Sequence, residues 1–171
     1  MLPAHGWEDA CVYERILLAY DGSAEGRAAL REGALVAKRC GAQVYLLSVV
    51  AEAPGVLLAE GVFAGPGGQE WEVYRKVLED GVERLRSIGL APVATMVTGE
   101  PAAEIGAYAK KIDADLVVVG HRRPKFLERW WSGSLGANLM DHTRCSLLIS
   151  RKPITDEAFQ AELARIGGRG G

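Results

Sequence analysis

Hydrophobic residues are distributed along the chain in two alternating kinds of segment. Short apolar runs rich in Val, Ile and Leu are separated by longer stretches in which Ala, Leu, Arg and Glu recur with helical spacing. Near-continuous apolar runs are typical of strands that are covered on both faces, as in a parallel sheet. The runs predict five strands, over Arg15–Tyr20, Gln43–Val50, Pro92–Val97, Asp115–Gly120 and Cys145–Arg151.

Helices are predicted between these strands. Gly41 and Gly89 stand where helices are expected to stop, and Pro101 stands at a first helical position. Right-handed crossovers turn the resulting βαβαβαβαβ order into a doubly wound sheet with helices on both faces. The predicted helices cover Ser23–Cys40, Gln69–Ile88, Pro101–Lys111 and Ser134–His142.

The chain of 171 residues has the length of one domain. We expect an extension at residues 1–12, an α/β domain at residues 13–151 and a tail at residues 152–171. Ala51–Gly68 is rich in Gly and Pro and is predicted to be a long loop. In the tail, Thr155 is expected to cap a short helix that precedes a disordered, Gly-rich end.

Composition and charge argue against several partners. Hydrophobic residues make up 49% and charged residues 25% of the chain, as in an ordinary globular protein. A net charge of −2 lacks the basic excess that nucleic acid or an anionic membrane demands. No apolar run reaches the roughly 20 residues of a membrane helix, and the first residues do not resemble a signal peptide.

Three cysteines, Cys11, Cys40 and Cys145, are too few for a disulfide framework and show no CxxC spacing for zinc. They are therefore expected to be reduced, small apolar residues. This interpretation places the protein in the cytoplasm.

The segment Val117–Ser134 carries the clearest chemical signal. A buried strand ends at Gly120, a basic loop follows, and Gly133 and Ser134 open a helix. Glycine lets a phosphate approach the backbone, and the amides at a helix start are unpaired donors. A solvated basic loop with Ser134 as a simple helix cap explains the segment equally well. The cations available to a phosphate are Arg122, Arg123, Lys125 and Arg129.

Asp21 is the second candidate, because it follows the first strand directly and precedes a helix. Ligands of open α/β sheets bind outside the strand ends where the winding reverses. If the first and fourth strands are neighbours there, Asp21 and Gly120 line one crevice. Asp21 would then accept hydrogen bonds from a ribose or coordinate Mg²⁺. Alternatively, Asp21 or Ser23 simply caps the helix.

Four segments in the same order resemble the universal stress protein family. They are ILLAYDGS at the first strand, VTGEPAAEI after the third, LVVVG with a later GS, and HTRCSLLISR at the end. The likeness covers about Tyr13–Arg151. It implies a five-stranded parallel sheet in the order 3-2-1-4-5. It also implies a homodimer through the fifth strand, whose apolar edge would otherwise stay open.

Nucleotide-binding members of this family carry a glycine, two residues, a second glycine, nine residues, and then Gly-Ser or Gly-Thr. Gly120, Gly133 and Ser134 match that frame, whereas Arg123 stands in place of the second glycine. The resemblance implies that ATP or AMP binds, with Mg²⁺ carried by the nucleotide and held near Asp21. The implied site comprises Ala19, Asp21, Val49, Val50, Val119, Gly120, Arg122, Arg123, Gly133, Ser134 and Leu135.

Two functions stay open at this point. One is a dimeric stress-response or signalling module that binds an adenine nucleotide. The other is a dimeric interaction protein of the same fold that has lost the ligand, because Arg123 places a side chain where phosphate was expected to approach. In neither case does the sequence define the protein partner.

Catalysis is not expected, although slow ATP hydrolysis stays a distant third function. His121 has no evident nucleophile with an orienting acid, so no catalytic residue is assigned. A receiver domain is excluded because the third strand ends Val97-Thr98-Gly99, without an acceptor aspartate. The P-loop motif and the dinucleotide fingerprint are both absent.

Overall fold

The computed structural model describes residues 11–51, 68–121 and 136–168. Within these ranges, strands and helices alternate as the sequence predicts, and each predicted strand is present to within two residues at either end. The elements are β1 (Arg15–Ala19), α1 (Ala24–Cys40), β2 (Gln43–Ala51), α2 (Gly68–Ser87), β3 (Val93–Gly99), α3 (Pro101–Lys111), β4 (Leu116–Gly120), α4 (Gly136–His142), β5 (Ser146–Ser150) and α5 (Asp156–Gly167).

The five strands form one parallel sheet in the order β3-β2-β1-β4-β5. Leu18 of β1 is in register with Leu46 of β2 on one side and Val118 of β4 on the other. This order confirms the predicted fold, and it makes β1 the central strand. The winding reverses between β1 and β4, so the carboxyl ends of these two strands mark the switch point of the sheet.

Helices cover both faces of the sheet, and alternate residues of each strand point to alternate faces. Leu18 and Val118 pack under α1 and α2, together with Leu85. Leu17 and Val117 pack under α3 and α4. This double burial explains why the strands consist of nearly continuous apolar residues.

Local signals fix where the helices begin and end. The Ser23 hydroxyl accepts a hydrogen bond of 2.9 Å from the amide of Gly26 at the start of α1. Gly41 ends α1 with φ of 63°, a left-handed conformation that favours glycine. Glu100 caps α3, whose first residue is Pro101. Thr155 caps α5 as predicted, and this helix continues to Gly167.

The cysteine prediction is wrong for two of the three residues. Cys11 and Cys40 form a disulfide, with their Cα atoms 4.9 Å apart. α1 runs back beside β1, so its last residue comes next to the segment that enters β1. Spacing along the chain does not reveal such a pairing. Cys145 is a free thiol, and burial raises its pKa.

Among the described residues, no helix combines the length and the apolar character needed to cross a membrane.

Candidate functional site

The candidate site lies at the carboxyl ends of β1, β2 and β4. Ala19, Val49 and Val119 all pack on the face of the sheet that α3 and α4 cover. Val50 is buried, and it follows Val49 in the same strand, so its side chain points to the opposite face. Ala19, Val49 and Val119 therefore share one apolar surface, to which the side chain of Val50 does not belong.

Gly120, at the end of β4, packs directly against the first turn of α1. A Cβ atom at this position would lie 2.6 Å from the carbonyl carbon and oxygen of Glu25 and 2.9 Å from the amide nitrogen of Gly26. These are backbone atoms of a capped helix, so they cannot move aside as a flexible side chain would. The close approach of strand and helix thus requires glycine at position 120.

Asp21 lies against the same turn of α1. A Cβ atom on Gly26 would collide with Oδ1 of Asp21, so this carboxylate and Gly120 both contact the start of one helix. The structure therefore brings Asp21 and Gly120 together at the carboxyl edge of the sheet, at the switch point between β1 and β4. This juxtaposition is the geometric condition on which the predicted crevice depends.

The Asp21 carboxylate is exposed and takes part in the helix start. Its Oδ1 accepts hydrogen bonds from the Ser23 amide at 3.0 Å and from the Ser23 hydroxyl at 2.6 Å. Ser23 is the N-cap residue, and Asp21 orients its hydroxyl. Between them, Gly22 has φ of 74°, and its carbonyl accepts a hydrogen bond of 2.7 Å from Arg27. The turn that presents Asp21 is thus held from both sides.

Tyr20 supports this turn, and the sequence interpretation missed its role. Its hydroxyl donates to Oδ2 of Asp80 at 2.8 Å, and the Arg84 guanidinium donates to the same oxygen at 2.8 Å. Burial, reinforced by the hydrogen bond to Asp80, raises the pKa of Tyr20 to about 12. The hydrogen bond from Arg84 holds the pKa of Asp80 below its usual value. These contacts attach α2 to the residue that precedes Asp21.

Two features of the sequence are compatible with the contact between Tyr20 and the pair Asp80 and Arg84. Asp80 and Arg84 are four residues apart on a helix, which places them on one face. A tyrosine at the end of a strand has an apolar ring and a polar tip that needs a partner when buried. Nothing in the sequence indicates that the two features meet.

Two buried hydroxyl groups lie in the carboxyl-terminal halves of β2 and β5. Ser48 and Ser150 are almost fully buried, and neither Oγ has a hydrogen-bond partner among the residues that the structure describes. Ser150 is in register with Gly120, and its carbonyl accepts a hydrogen bond of 2.8 Å from the amide of His121. A buried hydroxyl without a partner costs about 1–3 kcal/mol.

The remaining predicted site residues lie outside the described ranges: Arg122, Arg123, Gly133, Ser134 and Leu135. The structure places both flanks of this segment, at His121 and at the start of α4. In residues 11–51, 68–121 and 136–168, no three His, Cys, Asp or Glu side chains are grouped so as to hold a metal ion.

Comparisons with known proteins identify a family for this chain. The model of the universal stress protein family matches residues 12–151. A universal stress protein of Methanocaldococcus jannaschii is 32% identical over 150 residues, which cover 83% of this chain and 84% of that protein. Another, from Bacillus subtilis, is 28% identical over 148 residues, which cover 82% of this chain and 100% of that protein.

Solved structures of universal stress proteins share the fold. One, in complex with cAMP, has a TM-score of 0.60 at 20% identity and covers 81% of this chain and 97% of its own. Another, from Archaeoglobus fulgidus in complex with dAMP, has a TM-score of 0.62 at 19% identity and covers 82% of this chain and 100% of its own. The sheet order agrees with this fold, and the family match spans most of the sequence, so the chain belongs to the universal stress protein family.

Proposed function

We propose that this protein binds an adenine nucleotide, ATP or AMP, in the crevice between the carboxyl ends of β1 and β4. The observation that carries the proposal is the packing of Gly120 and Asp21 against the same turn of α1. The predicted phosphate-binding segment begins at Gly120. Because of this packing, it begins close to the exposed carboxylate of Asp21. Family members in complex with cAMP and dAMP support the same class of ligand.

Each part of the crevice suits a different part of the ligand. The apolar surface of Ala19, Val49 and Val119 suits the adenine ring. Asp21 is exposed at the edge of this surface, where a carboxylate accepts hydrogen bonds from ribose hydroxyls or coordinates Mg²⁺ carried by the nucleotide.

The segment after β4 supplies the groups for phosphate. Arg122 and Arg123 would donate charge-assisted hydrogen bonds to the phosphate oxygens. Gly133, Ser134 and Leu135 would contribute amides at a helix start, and Ser134 also a hydroxyl. Binding rather than catalysis is the role that we assign to this site.

We further propose that the protein acts as a homodimer formed through β5. This strand lies at an edge of the sheet, where its backbone groups are open to pairing. Leu147 and Ile149 are only half-buried there, and Met140 on the adjacent α4 is 57% exposed. A second copy would cover this apolar edge. A nucleotide-binding dimer of this kind would serve as a stress-response or signalling module.

Arg123 favours a second candidate function. It occupies the glycine position of the nucleotide motif, and Pro124 after it restricts the backbone. If the arginine blocks the phosphates, the protein is a dimeric interaction module without a nucleotide. The two candidates differ in a single observable, the affinity for adenine nucleotide.

A matched pair of glycine variants tests the site by calorimetric titration with ATP and AMP. Gly133→Val should weaken binding more than tenfold, because a side chain would stand where a phosphate approaches the backbone; tenfold equals about 1.4 kcal/mol. Gly167→Val is the control, since a Cβ at Gly167 meets no atom within 4 Å. Equal affinities of the two variants would contradict the proposed site.

A further inference from the structure

A groove beside α1 brings three arginines together. It lies where α1, the end of α2 and α5 converge, and its volume is about 210 Å³. Arg27 and Arg31 come from successive turns of α1, and Arg84 comes from α2. No carboxylate is among the described residues that line it. Arg84 and Arg31 each pair with a carboxylate outside the lining, Asp80 and Asp156, so Arg27 is the cation whose charge a bound anion would balance.

The floor of this groove is apolar. Leu30, Ala34 and Leu85 belong to the buried core, and the half-buried Ile88 supplies accessible apolar surface beside them. Phe159 of α5 closes one side, and the guanidinium of Arg31 lies over its ring at 5.4 Å from the centroid. A ring or a short alkyl chain in the groove would therefore contact hydrocarbon on one side and guanidinium groups on the other.

The hydrogen bonds that these arginines already make use only some of their N–H donors. Arg84 donates to Asp80, and Arg31 pairs with Asp156 and donates to the Ile154 carbonyl at 3.0 Å. Arg27 donates to the carbonyl of Gly22, and among the described residues no carboxylate lies within salt-bridge distance of it. Each guanidinium has five N–H donors in a planar fork, which matches the geometry of a carboxylate.

We propose that this groove is a binding site for a small organic anion with an apolar body, of the aromatic carboxylate class. The carboxylate would accept hydrogen bonds from Arg27 and its neighbours, and the ring would lie on the floor beside Phe159. The lining of this groove shares no residue with the proposed nucleotide crevice. Anion binding in the groove does not depend on nucleotide binding.

The probe for this proposal is benzoate, titrated by calorimetry, with benzyl alcohol as its neutral counterpart. Benzoate should bind at least tenfold more tightly than the alcohol, because only the acid uses the arginines. Inorganic phosphate should bind more weakly than benzoate, because it cannot use the floor. Equal binding of benzoate and benzyl alcohol, or no benzoate binding at about 10 mM, would overturn the proposal.

Three variants test where benzoate binds. Each of them makes the net charge more negative by one. Arg27→Gln removes a donor, and Gln160→Glu places a carboxylate at the exposed rim of the groove. Both should weaken benzoate binding about tenfold. Arg39→Gln is the matched control, since Arg39 lies on α1 outside the groove and pairs with Glu162. A similar loss in all three variants, or displacement of benzoate by ATP, would show that the anion binds elsewhere.

Discussion

The hydroxyl of Tyr20 donates a hydrogen bond of 2.8 Å to Asp80, and this bond connects the end of β1 to the middle of α2. Tyr20 is only 2% exposed, and Asp21 follows it directly. A Cβ on Gly81 would lie 2.8 Å from the tyrosine ring, so α2 packs directly on Tyr20 and leaves no room for a side chain at position 81. The position of Asp21 in the crevice thus depends on a contact between residues 60 positions apart.

Tyr20→Phe should lower the free energy of unfolding by about 1 kcal/mol near neutral pH, because one buried hydrogen bond is lost while the ring is kept. Urea denaturation of the two proteins measures the difference. Asp80 keeps its hydrogen bond from Arg84 in this variant, so its partly exposed carboxylate is not left unpaired.

The same variant should change the response to alkaline pH. The pKa of Tyr20 is about 12 in the folded protein, above its ordinary value of 10.0. The unfolded chain therefore loses the tyrosine proton first, and the stability due to the protonated hydroxyl falls as pH rises from about 10 to about 12. Tyr20→Phe should show a shallower loss of stability over this interval. Parallel curves for the two proteins would contradict the raised pKa.

Reduction of the disulfide between Cys11 and Cys40 should destabilise the protein. The bond closes a loop with a sequence separation of 29, for which chain entropy alone corresponds to about 3–4 kcal/mol. Thermal unfolding with and without a phosphine reductant measures the change, and Cys11→Ser should reproduce it without reductant. Under denaturing conditions, thiol titration should find one free thiol before reduction and three after it. Three thiols before reduction would contradict the disulfide.

Gly120→Ala should destabilise the protein by about 1–3 kcal/mol, since its methyl group would stand 2.6 Å from the backbone carbonyl of Glu25. The strain would separate β4 from α1 and so weaken nucleotide binding as well. Gly167→Ala, where a methyl group meets open space, is the control for the loss of glycine itself. Calorimetry and urea denaturation of both variants test the prediction.

Arg123→Gly distinguishes a phosphate-binding arginine from a blocking one. If Arg123 contacts phosphate, as we expect, the variant loses a charge-assisted hydrogen bond of roughly 1.5–3 kcal/mol, and ATP binding weakens about tenfold or more. Arg144→Gly removes an exposed arginine at the opposite end of the sheet and should leave the affinity unchanged. Tighter binding by Arg123→Gly than by the parent protein would refute the contact.

The architecture was predictable because its signals are local or periodic. β2 and β4 are recognisable from apolar runs, and α1 from the sequence between its Ser23 cap and Gly41. The strand order could not be predicted from such signals. Periodicity indicates a parallel sheet, whereas the order 3-2-1-4-5 came from the family resemblance. The sheet then brings Asp21 and Gly120 together, as the position of a switch point requires.

Contacts between distant residues could not be predicted in the same way. The disulfide, the bond from Tyr20 to Asp80, and the packing of Phe159 on α1 each depend on where the fold places a helix. The assignment of both Val49 and Val50 to the nucleotide site shows a related limit. Neighbouring residues of a strand point to opposite faces, and the motif does not say which face the ligand uses.

Calorimetric titration of the nucleotide-free parent protein with ATP tests the central claim most directly. The account predicts a saturable heat with one ATP per chain, a dissociation constant below about 1 mM, and a higher unfolding temperature in the presence of ATP. If millimolar ATP produced neither heat nor a thermal shift, the protein would not be a nucleotide-binding member of its family, and the interaction module would be the better account.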